Sequence, residues 1–201
     1  MIKSLLTSAA AVAISFGASA DSNFFGDGEF VFSSGWDYSY SEDVMTDTVT
    51  HYAAISSLTQ PEYSWESSLE IVYTCTDMGS MKSATVVFAQ KNSFFSIDNT
   101  TPARIRVSDQ DMRSIPDVRI PDNNNDYLYI GSSESVHNFV LDMVLSERRD
   151  NLGSFHIQFP DFLNGQPHMF LLSGAEDAIN RVRRECGLNE FGRPGPQEGI
   201  Y

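Results

Sequence analysis

The sequence predicts an α+β domain in which a twisted, mainly antiparallel β-sheet is packed by two α-helices and closed by one long-range disulfide. Three observations support this fold class. Several short segments alternate apolar and polar residues, which is typical of half-buried strands. Two longer segments repeat apolar residues every three or four positions, which is typical of amphipathic helices. The two cysteines, Cys75 and Cys186, lie in a predicted strand and in the last predicted helix.

The first twenty residues have the form of an export signal. Lys3 precedes an apolar run, "LLTSAAAVAISFG", and the "ASA" that ends at Ala20 fits a cleavage site. An uncleaved membrane anchor would need about 18 to 20 unbroken apolar residues, and serine and glycine interrupt this run. We therefore predict cleavage near Ala20 and a periplasmic or secreted protein whose single α+β domain covers residues 21–187.

The predicted strands are short, alternate in polarity and are bounded by turn-forming residues. In order they are "WDYSYS", "DTVTHYAAIS", "SLEIVYTCTD", "ATVVFAQ", "ARIRVSD", "YLYIGS", "LGSFHIQF" and "HMFLLS". The third is the clearest, because Leu69, Ile71, Tyr73 and Cys75 fall on one of its faces. The fourth follows the turn-like "DMGSMKS" and is the predicted hairpin partner of the third.

Two helices are predicted from the period of their apolar residues. The first, "SESVHNFVLDMVLSERR", has Ser132 or Ser133 available as N-cap. Its apolar stripe consists of Val136, Phe139, Val140, Met143 and Val144. The second lies within residues 172–187, where we expect Ser173 and Glu176 to form a capping box. Its core-facing stripe consists of Ala175, Ile179, Val182 and Cys186.

The end of the second helix and the residues after it are marked by glycine and proline. Gly187 occupies the position where a glycine commonly ends a helix. Residues 188–201, "LNEFGRPGPQEGIY", carry further glycines and prolines. We predict that they form a flexible C-terminal tail.

Cys75 and Cys186 are predicted to form a disulfide, because an exported chain with two cysteines favours that pairing. By periodicity both side chains point toward the core. In the chain-entropy description, closing so long a loop contributes about 4 to 5 kcal/mol to stability. The alternative is a catalytic cysteine with a histidine base, which requires a free and partly exposed thiolate.

The formal net charge of −14 at pH 7 argues against several classes of partner. Such a charge repels nucleic acid and anionic lipid surfaces. After the export signal, no segment is apolar enough to cross a membrane. We therefore predict no nucleic-acid partner and no stable membrane insertion. The acidic surface is interpreted as a source of solubility, with an acidic binding face as the alternative.

The sequence contains no motif that indicates a cofactor or a catalytic site. Asp122, Asn124 and Asp126 match the first three ligands of a calcium loop, but Tyr127 and Ser133 stand where that loop needs glycine and glutamate. This segment is therefore interpreted as a polar turn. The histidines have no metal-binding spacing, and no nucleophile elbow or phosphate-binding loop is present. We predict no cofactor, no metal and no enzymatic activity.

The most distinctive polar run is "EDVMTDT", residues 42–48. We interpret it as a tight turn between two strands, in which Asp47 or Thr48 bonds to the backbone. The alternative is a recognition surface formed by Asp43, Met45 and Asp47.

Several of these features occur together in one family. Trp36, "DVMTDT", the strand that carries Cys75 and finally "FLLSGAEDAINRVRREC" follow one another in the chain. Over roughly residues 36–187 this order resembles the bacterial type VI secretion-associated periplasmic proteins of the VasI/TagO kind and their uncharacterised exported relatives. "RIRVSD" approximates an Arg-x-Asp strand of that family, whereas "SIPDVRIPDNNND" stands where the family carries a segment with tryptophan.

The resemblance implies a non-enzymatic periplasmic accessory or interaction protein whose partner is another periplasmic or envelope protein. It transfers no catalytic residues. Two alternatives stay open. "IVYTC" is similar to a strand of the small periplasmic lysozyme inhibitors, and an acidic protein suits a basic lysozyme. A cell-wall hydrolase with unrecognised carboxylates is the other.

Overall fold

A computed structural model describes residues 35–59, 68–79, 81–89, 103–107, 111–115, 117–120, 127–150, 152–159 and 166–192. The strands are β1 (Asp37–Asp43), β2 (Thr48–Ser56), β3 (Glu70–Asp77), β4 (Lys82–Ala89), β5 (Ala103–Val107), β6 (Arg113–Ile115), β7 (Val118–Arg119), β8 (Tyr127–Ile130), β9 (Ser154–Gln158) and β10 (Pro167–Leu171). The helices are α1 (Ser133–Arg149) and α2 (Ala175–Glu185). The predicted α+β class, with two helices and antiparallel strand pairing, is confirmed. The predicted export signal lies outside the described residues.

The strands form two antiparallel sheets, whereas the sequence indicated one. The larger sheet has the order β1-β2-β3-β4-β8-β7, and the smaller has the order β10-β9-β5-β6. β6 and β7 lie in a segment for which no strand was predicted. The division could not be predicted because alternation identifies the buried face of a strand and not its neighbour.

One continuous core joins both sheets and both helices. α2 packs on β1, β2 and β3, while α1 packs on β4, β8 and α2. In the smaller sheet the buried residues come from alternate positions of each strand. Phe155 of β9 stacks on Phe170 of β10 with ring centroids 5.0 Å apart. The predicted stripes of both helices are buried in this core, which confirms their period.

The predicted disulfide is confirmed. Cys75 in β3 and Cys186 at the end of α2 are joined with an S–S distance of 2.02 Å and a Cα–Cα distance of 6.2 Å. Both residues are fully buried. The bond ties the last helix to a central strand across 111 positions of the chain.

The beginning of α1 follows the prediction and the beginning of α2 does not. Ser132 is the N-cap of α1, and its hydroxyl accepts a hydrogen bond from Ser135 N at 3.1 Å. The capping box predicted for α2 is wrong: its N-cap is Gly174, which has a φ of 84° and provides no side chain. The Glu147 carboxylate of α1 accepts hydrogen bonds from the backbone nitrogens of Gly174 and Glu176 instead, each at 2.5 Å.

The end of α2 is fixed by a glycine and by the chain that follows it. Gly187 has a φ of 68°, and its N–H donates to Arg184 O while Leu188 N donates to Arg183 O. This is the Schellman arrangement, and it confirms the role predicted for Gly187. The chain then turns back, so that Phe191 is buried in the core. Residues 188–192 therefore belong to the packed domain rather than to a tail, and residues 193–201 lie outside the described residues.

Candidate interaction surface

The turn between β1 and β2 exposes two apolar side chains on a firmly bonded backbone. Asp43 Oδ1 accepts a hydrogen bond from Met45 N at 2.9 Å, and Asp43 O accepts one from Thr46 N at 3.2 Å. Hydrogen bonds from the Met45 backbone and the Thr46 side chain hold the pKa of the Asp43 carboxyl below its usual value. The exposed fractions of Val44 and Met45 are 76% and 89%.

This geometry agrees with the predicted turn and changes its details. Asp43 makes a side-chain bond to the backbone in addition to the one that was expected from Asp47 or Thr48. Thr48 makes the expected bond to the backbone, since its hydroxyl donates to Thr46 O at 3.4 Å, and it also accepts a hydrogen bond from Thr46 Oγ1 at 3.0 Å. Asp47 adopts a φ of 51°, the left-handed conformation that aspartate tolerates better than most residues.

The turn between β3 and β4 is built in the same way and also exposes apolar side chains. Asp77 Oδ1 accepts a hydrogen bond from Gly79 N at 2.8 Å, and Met78 N donates to Met81 O at 3.0 Å. Gly79 has a φ of 77°, which a residue with a side chain rarely adopts. The two methionines flank the turn, and Met81 is 62% exposed.

The pairing of β2 with β3 places the two turns side by side. In that pairing Val49 lies opposite Asp77, so both turns leave the same end of the larger sheet. We call this the hairpin end. It comprises Val44, Met45, Met78 and Met81, with Asp43, Asp47 and Asp77 around them. Single exposed apolar residues are ordinary on protein surfaces, but adjacent ones are typical of contact sites.

Sequence reasoning found half of this surface. Asp43, Met45 and Asp47 were recognised as a possible recognition surface, and they share one turn. Met78 and Met81 were missed because "DMGSMKS" was interpreted only as a turn. The available signal was a methionine on each side of a Gly-Ser pair. Unbranched, polarisable methionine side chains adapt to different partner surfaces.

The cysteines do not provide a nucleophile. His51 of β2 lies opposite Cys75 of β3, as a histidine base would. Cys75 is oxidised to the disulfide, and no cysteine in the described residues is free. His51 Nδ1 instead shares a hydrogen bond of 2.9 Å with the Tyr38 hydroxyl, and the Arg181 guanidinium lies 3.9 Å from the centre of the Tyr38 ring. This group connects α2 to β1 and β2.

A polar cleft at the junction of α1 and α2 contains several carboxylates with structural partners. Glu147 caps α2, as described above. Glu176 forms an ion pair with Arg148, whose Nε donates to Glu176 Oε2 at 2.9 Å. These carboxylates hold the helices together, so the cluster gives no support to the alternative of a cell-wall hydrolase.

The described residues contain neither a metal-binding cluster nor a membrane-spanning helix. Within the described ranges, histidine, cysteine, aspartate and glutamate side chains form no group of three that could hold a metal ion. The polar segment that contains Asp122, Asn124 and Asp126 lies outside those ranges. Neither α1 nor α2 is long and apolar enough to cross a membrane.

Comparisons with known proteins give no relative from which a function could be transferred. A scan against protein-family models, a search of curated proteins and a search of solved structures each found no match.

Proposed function

We propose that this chain is a non-enzymatic, extracytoplasmic interaction protein that contacts its partner through the hairpin end. The observation that carries the proposal is the adjacency of four exposed apolar side chains, Val44, Met45, Met78 and Met81, on two well-bonded turns. The aspartates around them favour a partner that offers apolar side chains bordered by lysine or arginine.

The disulfide supports the extracytoplasmic part of the proposal. Disulfides persist in oxidising compartments such as the periplasm and are rare in the cytosol. Cys75 and Cys186 are fully buried, which protects their bond from exchange with external thiols. The form of the first twenty residues supports export with cleavage near Ala20. The intact mass of the exported protein should therefore correspond to a chain that begins at Asp21.

Site-specific photo-cross-linking tests the hairpin end in the producing cells. Met45 and, separately, Met81 are replaced by the photoreactive residue p-benzoyl-phenylalanine. Leu152 is the matched control, because it is 85% exposed and lies far along the chain between α1 and β9. We expect positions 45 and 81 to give the same protein adduct and position 152 to give none. Identical adducts at all three positions, or none at 45 and 81, would contradict the proposal.

A binding measurement with the purified partner then tests whether the methionines and aspartates of the hairpin end contribute to the affinity. The double variant Met45→Ser, Met81→Ser should bind about tenfold more weakly, because two anchoring side chains are lost. Leu152→Ser should leave the affinity unchanged. Raising the salt concentration should weaken binding by the unmodified protein, since the aspartates act through charge.

The sequence resemblance supports a partner in the type VI secretion apparatus. We propose this as the specific setting of the interaction. Deleting the gene from a producing bacterium should reduce killing of neighbouring cells by that apparatus. A gene for the double methionine variant should fail to restore it, whereas the Leu152→Ser gene should succeed. Unchanged killing after deletion would contradict the proposed partner in the type VI secretion apparatus. It would not affect the hairpin-end proposal, which the cross-linking experiment tests.

Inhibition of a basic lysozyme is a second candidate, favoured by the aspartates around the hairpin end. Such an enzyme carries the positive charge that these residues would attract. Titration of the mature protein against a lysozyme tests this candidate. A stoichiometric loss of cell-wall lysis would support this candidate, and undiminished lysis would eliminate it.

A further inference from the structure

The outward face of the smaller sheet carries two neighbouring arginines. β5 alternates strictly, so that Ala103, Ile105 and Val107 are buried while Arg104 and Arg106 are exposed. Alternate residues of a strand lie on the same face, about 6.6 Å apart along it. The two guanidinium groups therefore project side by side from one strand.

The neighbouring strands complete a shallow cleft around these arginines. In the pairing of β5 with β9, Arg104 lies opposite Gln158 and Arg106 lies opposite His156. The cleft has a volume of about 390 Å³. Met112 and Pro167 add apolar surface at its sides. It thus combines hydrogen-bond donors along its length with apolar borders.

Arg104 and Arg106 differ from the other arginines of the described residues. Each of the others has a carboxylate, carbonyl or aromatic partner: Arg113, Arg119, Arg148, Arg149, Arg181, Arg183 and Arg184. For Arg104 and Arg106 the described part of the chain offers no such partner. In a protein with a net charge of −14, two adjacent arginines without a carboxylate partner form a local positive patch that can attract an anionic group.

We propose that this face binds an extended acidic peptide segment in which two carboxylates are two residues apart. Side chains on one face of an extended peptide repeat at the same spacing as those of β5, so a Glu-x-Glu segment would place one carboxylate at each guanidinium. Arginine suits carboxylates because its planar group donates two parallel hydrogen bonds. Charge complementarity therefore favours this occupant.

The apolar borders make the ligand more specific. Met112 is half exposed, and Pro167 begins the edge strand β10. They offer contact to apolar side chains next to the acidic ones. A peptide that alternates glutamate with valine would satisfy both kinds of surface, since its valines can reach the borders while its glutamates reach the arginines. This ligand is separate from the partner proposed for the hairpin end.

The test measures binding of a fluorescent, end-blocked peptide, Glu-Val-Glu-Val-Glu, by anisotropy with the full-length protein. A peptide of the same composition with its three glutamates contiguous tests the spacing, and a Lys-Val-Lys-Val-Lys peptide tests the charge. We expect saturable binding of the alternating peptide, clearly weaker binding of the contiguous one and no binding of the cationic one. Equal binding of both acidic peptides, or binding of neither, would overturn the proposal.

Matched variants locate the site. Arg104→Gln and Arg106→Gln should each weaken binding about fivefold, and the double variant about twentyfold, which is the scale of solvent-accessible arginine–carboxylate pairs. Arg119→Gln makes the same charge change outside the cleft, at a residue paired with Asp117, and should keep the original affinity. If all these variants bind alike, the peptide is held elsewhere and the proposal fails. Unchanged thermal unfolding of each variant verifies its folding.

We assign the acidic segment to another protein rather than to a second copy of this chain, because copies with a net charge of −14 repel one another. Sedimentation equilibrium distinguishes the two sources. Self-association that the Glu-Val-Glu-Val-Glu peptide and the Arg104→Gln, Arg106→Gln double variant both abolish would contradict this assignment and identify a second copy as the ligand. A monomer that binds the peptide identifies a separate partner.

Discussion

At the scale of single residues, His168 is the most unusual group in the core. It lies on the inner face of β10 and is buried, and neither ring nitrogen has a hydrogen-bond partner among the described residues. Burial lowers its pKa from the ordinary value of 6.5. His51 is also buried and has its pKa lowered, chiefly by the same cause. Both imidazoles are therefore kept neutral by folding.

This arrangement predicts a loss of stability in mild acid. A histidine whose folded pKa lies below its unfolded pKa contributes full stability above about pH 6.5 and loses it as the pH falls, because the unfolded chain takes up the proton more readily. The free energy of unfolding should fall between pH 7.5 and 5 by at most about 1.4 kcal/mol per pH unit for each histidine.

Urea unfolding at several pH values provides the measurement, with His168→Leu as the variant. The variant should lose less stability than the unmodified protein over the same range, with the remainder due to His51. Leu152→Ser, at an exposed position without a titrating group, is the control and should keep the original dependence. Parallel curves for His168→Leu and the unmodified protein would show that His168 is not responsible.

At the scale of elements, both ends of α2 depend on other parts of the chain. Glu147 of α1 caps its first turn. At the other end, Asn180 Oδ1 accepts a hydrogen bond from Phe191 N at 2.8 Å, and Asn180 Nδ2 donates to Phe191 O at 3.3 Å. The Arg183 guanidinium lies 4.0 Å from the centre of the Phe191 ring. The helix is thus held by α1 and by the residues that follow it.

Removing the charge of Glu147 should destabilise the protein. Glu147→Gln retains a single acceptor oxygen where two backbone nitrogens need one each, and it removes a negative charge from a helix N-terminus. We expect the free energy of unfolding in urea to fall by about 1 to 2 kcal/mol. Glu42→Gln, at an exposed position of β1, is the matched control and should change it by less than about 0.5 kcal/mol. Equal effects would show that Glu147 does not cap α2 in solution.

Removing the Phe191 side chain should test whether residues 188–192 belong to the domain. Phe191 is only 6% exposed, so Phe191→Ala should cost about 3 kcal/mol through lost burial and an unfilled cavity. Leu152→Ala removes an exposed apolar side chain and should cost less than about 0.5 kcal/mol. If Phe191→Ala lowers the free energy of unfolding by a similarly small amount, residues 188–192 belong to the flexible tail, as the sequence predicted.

Features that depend on residues close together in the sequence could be predicted, and features that depend on residues far apart in the sequence could not. The extent of α1, its cap at Ser132 and the buried face of β5 depend on neighbouring residues, and the pattern reveals them. The cap from Glu147 could not be foreseen, because it lies 27 positions from Gly174 and local spacing pointed to Ser173. Met78 and Met45 are brought to the same end of the larger sheet only by the pairing of β2 with β3, which alternation does not specify.

At the scale of the whole molecule, acidic and basic side chains lie on different surfaces. The chain is acidic overall, and its hairpin end presents aspartates, while the outward face of the smaller sheet presents Arg104 and Arg106. These two surfaces lie on different sheets and suit partners of opposite charge. The disulfide is the covalent link that holds α2 on the larger sheet.

Loss of the disulfide should be the largest single change in stability. Replacing Cys75 and Cys186 together by alanine releases a loop of 111 positions, and we expect a loss of about 4 kcal/mol in the free energy of unfolding. Thiol titration of the unmodified protein under denaturing, non-reducing conditions should find no free thiol. Two titratable thiols in protein from an oxidising compartment would show that the cross-link does not form there.

The place of Cys186 in the last helix also affects how the molecule is made. Cys75 is synthesised long before its partner, so throughout that interval it is a lone thiol that can form no internal disulfide. A chain with two cysteines has a single internal pairing, so no reshuffling between alternative bridges is needed. The disulfide can form only after α2 has been synthesised, and a chain truncated before residue 186 keeps the free thiol of Cys75. The bond can therefore form only in chains that extend at least to residue 186.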